Sequence, residues 1–556
     1  MARVVNSRIR LLLFVIVLAF AVLLGRAAWI ATVRAASLSK LEQQQTKAPV
    51  VLPAGRGTIF DSMGTPLAIG EQATTVYADP RQITHAAAAA KTAARMLGLK
   101  AGALYPLLAD RTHGFVYVER KAPVDKATAL AKLKLPGFGF YAEERRTYPQ
   151  GPLAAPVLGY AGVDNKGLAG LELQLDGRLT GVPGRETIVR DPFGRPIDIE
   201  SVVPAREGKA VFLALNERIQ ANAEQVLRAT VSQWHAKDAT AIVVDPKTGG
   251  VLAMAMEPGY NANDFPTAAV RGLQRNHAVT DFYEPGSVFK VVTIAGALSE
   301  GLVTPHTKFT LPYSIHVADR VVHDAEVRGT ETMTVAQILQ RSSNVGAVTI
   351  AEMMGKDRLL RWIHRFGFGQ LTGIDFPGES AGLLPSYWSG STIGNVPIGQ
   401  GISVTAIQLA SVYAAIANGG IWTQPHLVDH VQGEKSPPRK TRRIVSARVD
   451  SELLNMLKGV VSDVGTAAAA EIPGYSVAGK TGTAQKPSPR GGYAAGKYVA
   501  TFVGMVPANN PQLVILVTVD EPKLAIYGGV VAAPAFAQIA AFDLQYLEVP
   551  PDLPLH

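Results

Sequence analysis

The run from Leu11 to Val33 constrains this chain most. Leu11 to Gly25 is 15 residues without a charge, and beyond Arg26 the apolar sequence resumes as Ala27-Ala28-Trp29-Ile30-Ala31-Thr32-Val33. Fifteen residues fall short of a bilayer's hydrocarbon core, whereas the whole run as a helix reaches about 35 Å. Arg3, Arg8 and Arg10 stand in the short tail before it. The positive-inside rule therefore predicts a cytoplasmic tail at 1–10, a transmembrane helix at 11–33 and everything later on the far side of the membrane. Arg26 is then expected to snorkel to the far interface, where Trp29 anchors the helix. A cleaved signal peptide is the rival reading, but no clean small-x-small site follows the run. No later stretch is long and apolar enough to span again.

Charge agrees with that placement. The chain of 556 residues carries a formal +9, and residues 1–50 hold +6 of it. A nucleic-acid-binding face would put the excess on a folded domain; here it flanks a hydrophobic segment, so a membrane is the expected partner and nucleic acid is not. Zero cysteines remove disulfide scaffolds, zinc ribbons and thiol catalysis together.

After the anchor, 34–54 is polar (Glu42-Gln43-Gln44-Gln45) and ends in Pro49 and Pro53, a linker by composition. A mixed region at 55–208 contains an Ala-rich helix, Ala86 to Leu97, and short strands at Thr74 to Ala78 and Phe115 to Arg120. The third region, 209–548, opens with a helix over Asn216 to Ser232. A hairpin follows, Thr240–Val244 with Gly250–Ala255 across Asp245-Pro246-Lys247-Thr248-Gly249. A second hairpin, Tyr498–Val506 with Gln512–Val519, lies near the end. Hairpins bracketing a helical middle predict an α+β fold with an antiparallel sheet.

Three short motifs carry chemistry. Glu284-Pro285-Gly286-Ser287-Val288-Phe289-Lys290 reads as a turn opening a helix, and residues i and i+3 share a helix face, so Lys290 can point at the Ser287 hydroxyl. A lysine acts as a base near neutral pH only if burial or a second cation lowers its pKa. Ser342-Ser343-Asn344 follows a helical stretch, Val335 to Gln340; taken alone it is a polar helix end. Gly474, Gly479, Lys480 and Thr481 match the phosphate-loop pattern, but the Pro- and Gly-rich sequence after them does not begin a helix, as that loop requires. Read as an edge strand, Lys480 offers a cation, Thr481 and Thr483 offer hydroxyls for a carboxylate, and Gly482 lets substrate lie against the backbone.

Ser-x-x-Lys, then Ser-x-Asn, then Lys-Thr-Gly, in that order, resembles the active-site signature of penicillin-binding proteins and serine β-lactamases. Gly369 to Glu379 and Ala406 to Gly420 resemble framework segments of the transpeptidase domain. Arg56-Gly57-Thr58-Ile59-Phe60-Asp61-Ser62-Met63-Gly64 and Gly167-Leu168-Ala169-Gly170-Leu171-Glu172 resemble pedestal motifs of class B penicillin-binding proteins. Ser62-Met63 departs from the charged or Asn-like turn usual there. Glu-Pro-Gly before Ser287, with Leu179-Thr180-Gly181 to Gly194-Arg195, is most similar to the division-specific, FtsI-like branch.

The resemblance implies a pedestal (dimerisation-type) domain at 55–208 and a penicillin-binding/serine β-lactamase-like transpeptidase domain at 209–548. It implies a peptidoglycan D,D-transpeptidase with Ser287 as nucleophile, Lys290 as base, Ser342 as proton relay and Asn344 on the substrate amide. Lys480, Thr481 and Thr483 would hold the terminal carboxylate, with backbone N–H groups of Ser287 and Thr483 as an oxyanion hole. The implied ligands are stem peptides (a D-Ala-D-Ala donor and an amine acceptor) and β-lactam antibiotics. An FtsW-like glycan polymerase and other division proteins are the implied partners; no metal or cofactor is needed. Three alternatives stand beside this reading: an elongation-type enzyme, a β-lactamase and a non-catalytic binding homologue. Against a β-lactamase, Glu452-Leu453-Leu454-Asn455 is one residue short of the class A Glu-x-x-Leu-Asn pattern and lies in a separate helix.

Overall fold

The computed structural model describes residues 2–34, 47–190 and 196–554. The Gln-rich part of the expected linker and Gly194-Arg195 lie outside the described residues. Two compact units are present, one formed by residues 1–55 with 181–208, the other by 56–180 with 209–556.

In the first unit a single helix runs Ala2–Thr32. Its segment Asn6–Thr32 is long and apolar enough to cross a membrane. The helix thus begins within the basic tail rather than at Leu11. The Arg34 guanidinium lies 4.8 Å over the Trp29 ring, a cation–π contact at the end expected to meet the interface. The unit also holds an antiparallel sheet in which Gly184–Arg190 lies between Lys47–Leu52 and Pro196–Val203.

The second unit contains two sheets that position the site. In the first, Pro66–Ala78 pairs with Ile59–Phe60, Val116–Pro123 and Phe138–Thr147. Ile59–Phe60 then lies parallel to Val211–Leu213, which pairs with Val428–Val431. Strands from both sides of residue 208 therefore share one sheet. The helices Ala86–Leu97, Ala101–Ala109 and Val124–Ala131 pack a separate small core around Val76, Ala93, Leu108 and Leu130.

Two buried acids join the signature segments. Glu172, fully buried, accepts from Arg56 Nε at 2.7 Å and Arg146 Nε at 2.6 Å, and Arg56 Nη1 reaches Asp176 at 2.7 Å. A buried carboxylate is tolerable only when paired in this way. Asp61 Oδ1 accepts the Met63 and Thr65 amides, and its Oδ2 accepts from Glu217 N at 3.0 Å. Asp61 thus makes the turn that Ser62-Met63 occupies, with Met63 pointing outward at 73% exposure, so the turn's hydrogen bonds do not depend on the Met63 side chain.

The second sheet is antiparallel and five-stranded, in the order Val251–Glu257, Asp238–Val244, Leu513–Asp520, Tyr493–Val506, Ala478–Pro487. Its inner strands are buried at nearly every position, because Glu217–Trp234, Ala533–Tyr546 and Ala406–Ala417 all pack on it. Both expected hairpins are present. Tyr493–Val506 starts five residues earlier than its apolar run, since Gly496-Lys497 interrupts the hydrophobic pattern at an irregularity in the ladder, beyond which Tyr493 still pairs with Pro487.

Candidate active site

Three segments meet at the exposed edge of that sheet. Gly286–Phe289 is a 3-10 turn that continues into the helix Lys290–Ser299. Gly286 has φ +59°, a conformation costly for any side chain-bearing residue, and its N–H donates to Gly399 O at 3.0 Å. Ser287 is half-buried, and its hydroxyl makes no hydrogen bond among the described residues. Three residues on, Lys290 is fully buried.

The second segment follows the helix Val335–Gln340, which ends where expected. Ser342 adopts φ +60°, a left-handed conformation rare for serine. Its carbonyl there accepts a hydrogen bond from Lys290 Nζ. Ser343 caps the next helix, Asn344–Met354, by accepting from Gly346 N. The polar-helix-end reading of this motif is therefore correct for Ser343, while Ser342 and Asn344 turn toward the lysine.

The third segment is the edge strand Ala478–Pro487, which runs straight through Lys480-Thr481-Gly482-Thr483 with no helix after it, so this is no phosphate loop. Lys480 is fully buried. A Cβ at Gly482 would stand 2.9 Å from Pro285 O and 3.2 Å from a Val288 methyl. The glycine thus admits the turn that carries Ser287, a packing role beside the expected one of making room for substrate. As a sheet edge, the strand leaves its outward N–H and C=O groups open to an extended peptide.

The polar groups converge on one hydroxyl. Ser342 Oγ lies 3.2 Å from Lys290 Nζ and 2.9 Å from Lys480 Nζ. Lys290 Nζ also donates to Asn344 Oδ1 at 2.7 Å, while Asn344 Nδ2 donates to His323 O at 2.9 Å. Lys290 is therefore engaged with Ser342 and Asn344, not with Ser287. Burial, reinforced by the nearby Lys480 charge, holds the Lys290 ammonium well below the usual lysine range, against the opposing pull of Asp324. Burial pushes Lys480 down to about 7. On the strand, Thr481 Oγ1 lies 2.8 Å from Thr466 Oγ1, and Thr483 Oγ1 accepts from Gly528 N at 3.2 Å.

Two supporting residues escaped sequence reasoning. Asp324 accepts from Asn344 N at 2.6 Å, Val345 N at 3.0 Å and Ser343 Oγ at 3.0 Å, and pairs with Arg328 at 2.6 Å. It neutralises the start of the Asn344–Met354 helix and fixes the Ser-x-Asn turn. Glu284 accepts from Gly401 N at 2.9 Å and from Tyr493 Oη at 3.0 Å, tying the loop after the edge strand to the nucleophile turn. Asp324 lies in no periodic or motif-like context in the sequence, whereas Glu284 stands inside the Glu-Pro-Gly motif, which does not reveal this bridging role. Glu452, by contrast, is ion-paired to Arg448 at 2.6 Å within the helix Ala447–Lys458.

A hydroxyl free to attack, a buried amine able to be neutral near pH 7, a second hydroxyl bridging two amines and an open strand edge suit acyl transfer from an extended peptide. Comparison with known proteins agrees. Residues 239–541 match the penicillin binding protein transpeptidase domain, and 51–213 match the penicillin-binding protein dimerisation domain. The chain is 33% identical to the peptidoglycan D,D-transpeptidase FtsI of Escherichia coli K12 over 99% of its length and 94% of that protein's. It is 36% identical to the penicillin-binding protein PbpB of Mycobacterium tuberculosis H37Rv, over 93% of this chain and 81% of that one. Its fold is similar to the crystal structure of penicillin binding protein 3 from M. tuberculosis complexed with aztreonam, with a TM-score of 0.71 and 32% identity over 91% of this chain and 99% of that one.

Proposed function

The chain belongs to the class B penicillin-binding proteins, as an FtsI-like peptidoglycan D,D-transpeptidase of cell-wall synthesis, and from that premise we propose that it crosslinks stem peptides through an acyl-enzyme on Ser287 during septal synthesis. The convergence of two buried lysines on the Ser342 hydroxyl is the observation that carries the site assignment.

Lys290 in its neutral form takes the Ser287 proton, and Ser287 Oγ attacks the carbonyl of the penultimate D-alanine. Backbone N–H groups of Ser287 and Thr483 receive the developing oxyanion, a contribution of about 3–4 kcal/mol for each donor. Ser342, bridging both lysines, passes a proton to the departing D-alanine amine. A neighbouring stem's side-chain amine then attacks the ester, forming the amide and releasing Ser287. Lys480, Thr481 and Thr483 hold the donor's terminal carboxylate, with Gly482 keeping the strand against the nucleophile turn. Asn344 meets the substrate amide by exchanging one of its present bonds, since both ends of its side chain are occupied. β-Lactams acylate Ser287 in the same way.

The septal assignment is supported by Glu284-Pro285-Gly286 before the nucleophile. In this reading the N-terminal helix is a single-pass anchor with its basic end cytoplasmic and the catalytic domain outside. It also packs against an FtsW-like glycan polymerase, with Ala19, Ala21 and Gly25 permitting close approach, and other division proteins dock on the pedestal. The domain limits that accompany it are 55–208 for the pedestal and 209–548 for the transpeptidase.

The direct test incubates the full chain in detergent micelles with a fluorescent penicillin, beside Ser287→Ala. A label that requires Ser287 and persists for many minutes is expected; a label that vanishes within seconds would indicate a β-lactamase. Depletion in cells separates the roles: filaments for septal synthesis, round cells for elongation.

A further inference from the structure

Both hydroxyls of the Lys480-Thr481-Gly482-Thr483 strand are met by a group from a flanking loop. Thr483 Oγ1 accepts from Gly528 N at 3.2 Å, and Thr481 Oγ1 lies 2.8 Å from Thr466 Oγ1. A backbone amide can only donate, so Thr483 keeps its own proton for another acceptor.

The proton of Thr481 is not settled in that way. Lys480 Nζ bonds Ser342 Oγ at 2.9 Å, Thr481 O at 3.2 Å and Thr481 Oγ1 at 3.4 Å, so a protonated Lys480 has all three N–H groups engaged. Its charge attracts a carboxylate, while the strand's hydroxyls carry the protons free to bond one. An ammonium only donates to Thr481 Oγ1, whereas a hydroxyl can give or take. Thr466 therefore decides where the one Thr481 proton goes. If Thr466 accepts, that proton is committed to the loop; if Thr466 donates, the proton is released. Packing holds the two residues together. A Cβ on Gly529 would stand 2.0 Å from Thr466 O and 3.4 Å from Thr481 Cγ2, so a glycine lets the Thr466 loop close on the strand. Thr481 is buried there, and Thr466 is exposed.

On the reading that this strand holds the donor's terminal carboxylate, we infer that Thr466 is a positioning residue, which by donating to Thr481 Oγ1 turns the Thr481 proton onto that carboxylate. A hydrogen bond given to an anion is stronger than one between neutral hydroxyls, so the arriving carboxylate takes the Thr481 proton and leaves Thr466 as the donor. Gly528 N plays the same part for Thr483.

The test uses the full chain in detergent micelles, acylated by benzylpenicillin and by its methyl ester, which lacks the carboxylate. The unmodified chain is expected to react faster with the acid. Thr466→Val removes the hydroxyl and sets a methyl where water could otherwise replace it. The acid-over-ester rate ratio is expected to fall about tenfold, through weaker apparent affinity for the acid with its limiting acylation rate retained. Thr466→Ser keeps the donor and is expected to keep the ratio. The exposed position tolerates both changes, which thermal unfolding checks. An unchanged ratio in Thr466→Val, even with both rates lowered together, overturns the inference, and so does a serine variant that loses as much as the valine one. Failure of the underlying reading looks different and takes the inference with it: the unmodified chain would then react with acid and ester alike, or without need of Ser287.

Discussion

Lys480 and Ser342, 138 positions apart in the chain, meet at 2.9 Å through ammonium and hydroxyl. Because Lys290 approaches the same hydroxyl at 3.2 Å, one oxygen separates two buried amines. Neither amine has a carboxylate within ion-pairing distance among the described residues. Burial and mutual repulsion thus disfavour protonating both, which prepares one of them to accept a proton near neutral pH.

The first prediction concerns pH. If Lys290 must be neutral to activate Ser287, penicillin acylation rises with pH as Lys290 deprotonates. The Lys480 charge lowers the Lys290 pKa and the Asp324 charge raises it. Lys480→Met should therefore move the acid limb of the acylation profile to higher pH, and Asp324→Asn should move it to lower pH. Lys480→Met should also slow acylation by about 10²-fold at neutral pH. Stopped-flow profiles of the two variants check this, and limbs moving in the same direction would refute the electrostatic account.

Ser342 allows strain to be separated from chemistry. At φ +60° a glycine avoids the steric cost that alanine retains, so Ser342→Gly should be more stable than Ser342→Ala by about 1 kcal/mol. Both lack the bridging hydroxyl and should lose acylation rate alike. Denaturant titration beside acylation kinetics distinguishes them; equal stabilities would mean that the turn relaxes.

Much of this was legible in the sequence, for reasons that particular residues make plain. The helices Ala86–Leu97 and Val335–Gln340 have their expected limits, because Gly98 ends the first with a left-handed cap and Thr334 opens the second with a capping box. The three motifs were legible as short ordered patterns. Asp324 was not: it serves Asn344 from 20 positions upstream, and a lone aspartate in a polar loop carries no periodic signal. The strand Pro66–Ala78 showed only its last third, since Gly70-Glu71-Gln72 breaks the apolar alternation. The reason for Gly482 is tertiary, and so became visible only when Pro285 was placed beside it.

In the pedestal, Glu172 bridges Arg56 and Arg146 with no exposure to solvent. Glu172→Gln preserves shape but removes the charge from between two guanidinium groups, leaving Arg146 without its ionic partner and Arg56 with Asp176 alone. The expected loss is about 3–5 kcal/mol of stability. Chemical denaturation measures it, and a loss below about 1 kcal/mol would mean that water or Asp176 takes over the pairing.

Gly482 supplies the final prediction, because it separates two accounts of the Lys-Thr-Gly strand. If the glycine served only to admit substrate, Gly482→Ala would impair peptide binding while leaving the apo structure unchanged. The geometry requires more: the new methyl meets Pro285 O at 2.9 Å, and a backbone carbonyl cannot swing away as a flexible side chain can. Either the edge strand or the nucleophile turn must retreat, and the turn carries Ser287. Displacements well under 1 Å suffice to misalign a nucleophile with its oxyanion donors, so acylation by a small β-lactam should fall at least about tenfold. Overpacking should add about 1–3 kcal/mol of destabilisation. Acylation kinetics with a small penicillin and thermal unfolding of Gly482→Ala check both; normal acylation at undiminished stability would return the glycine to a purely substrate-facing role.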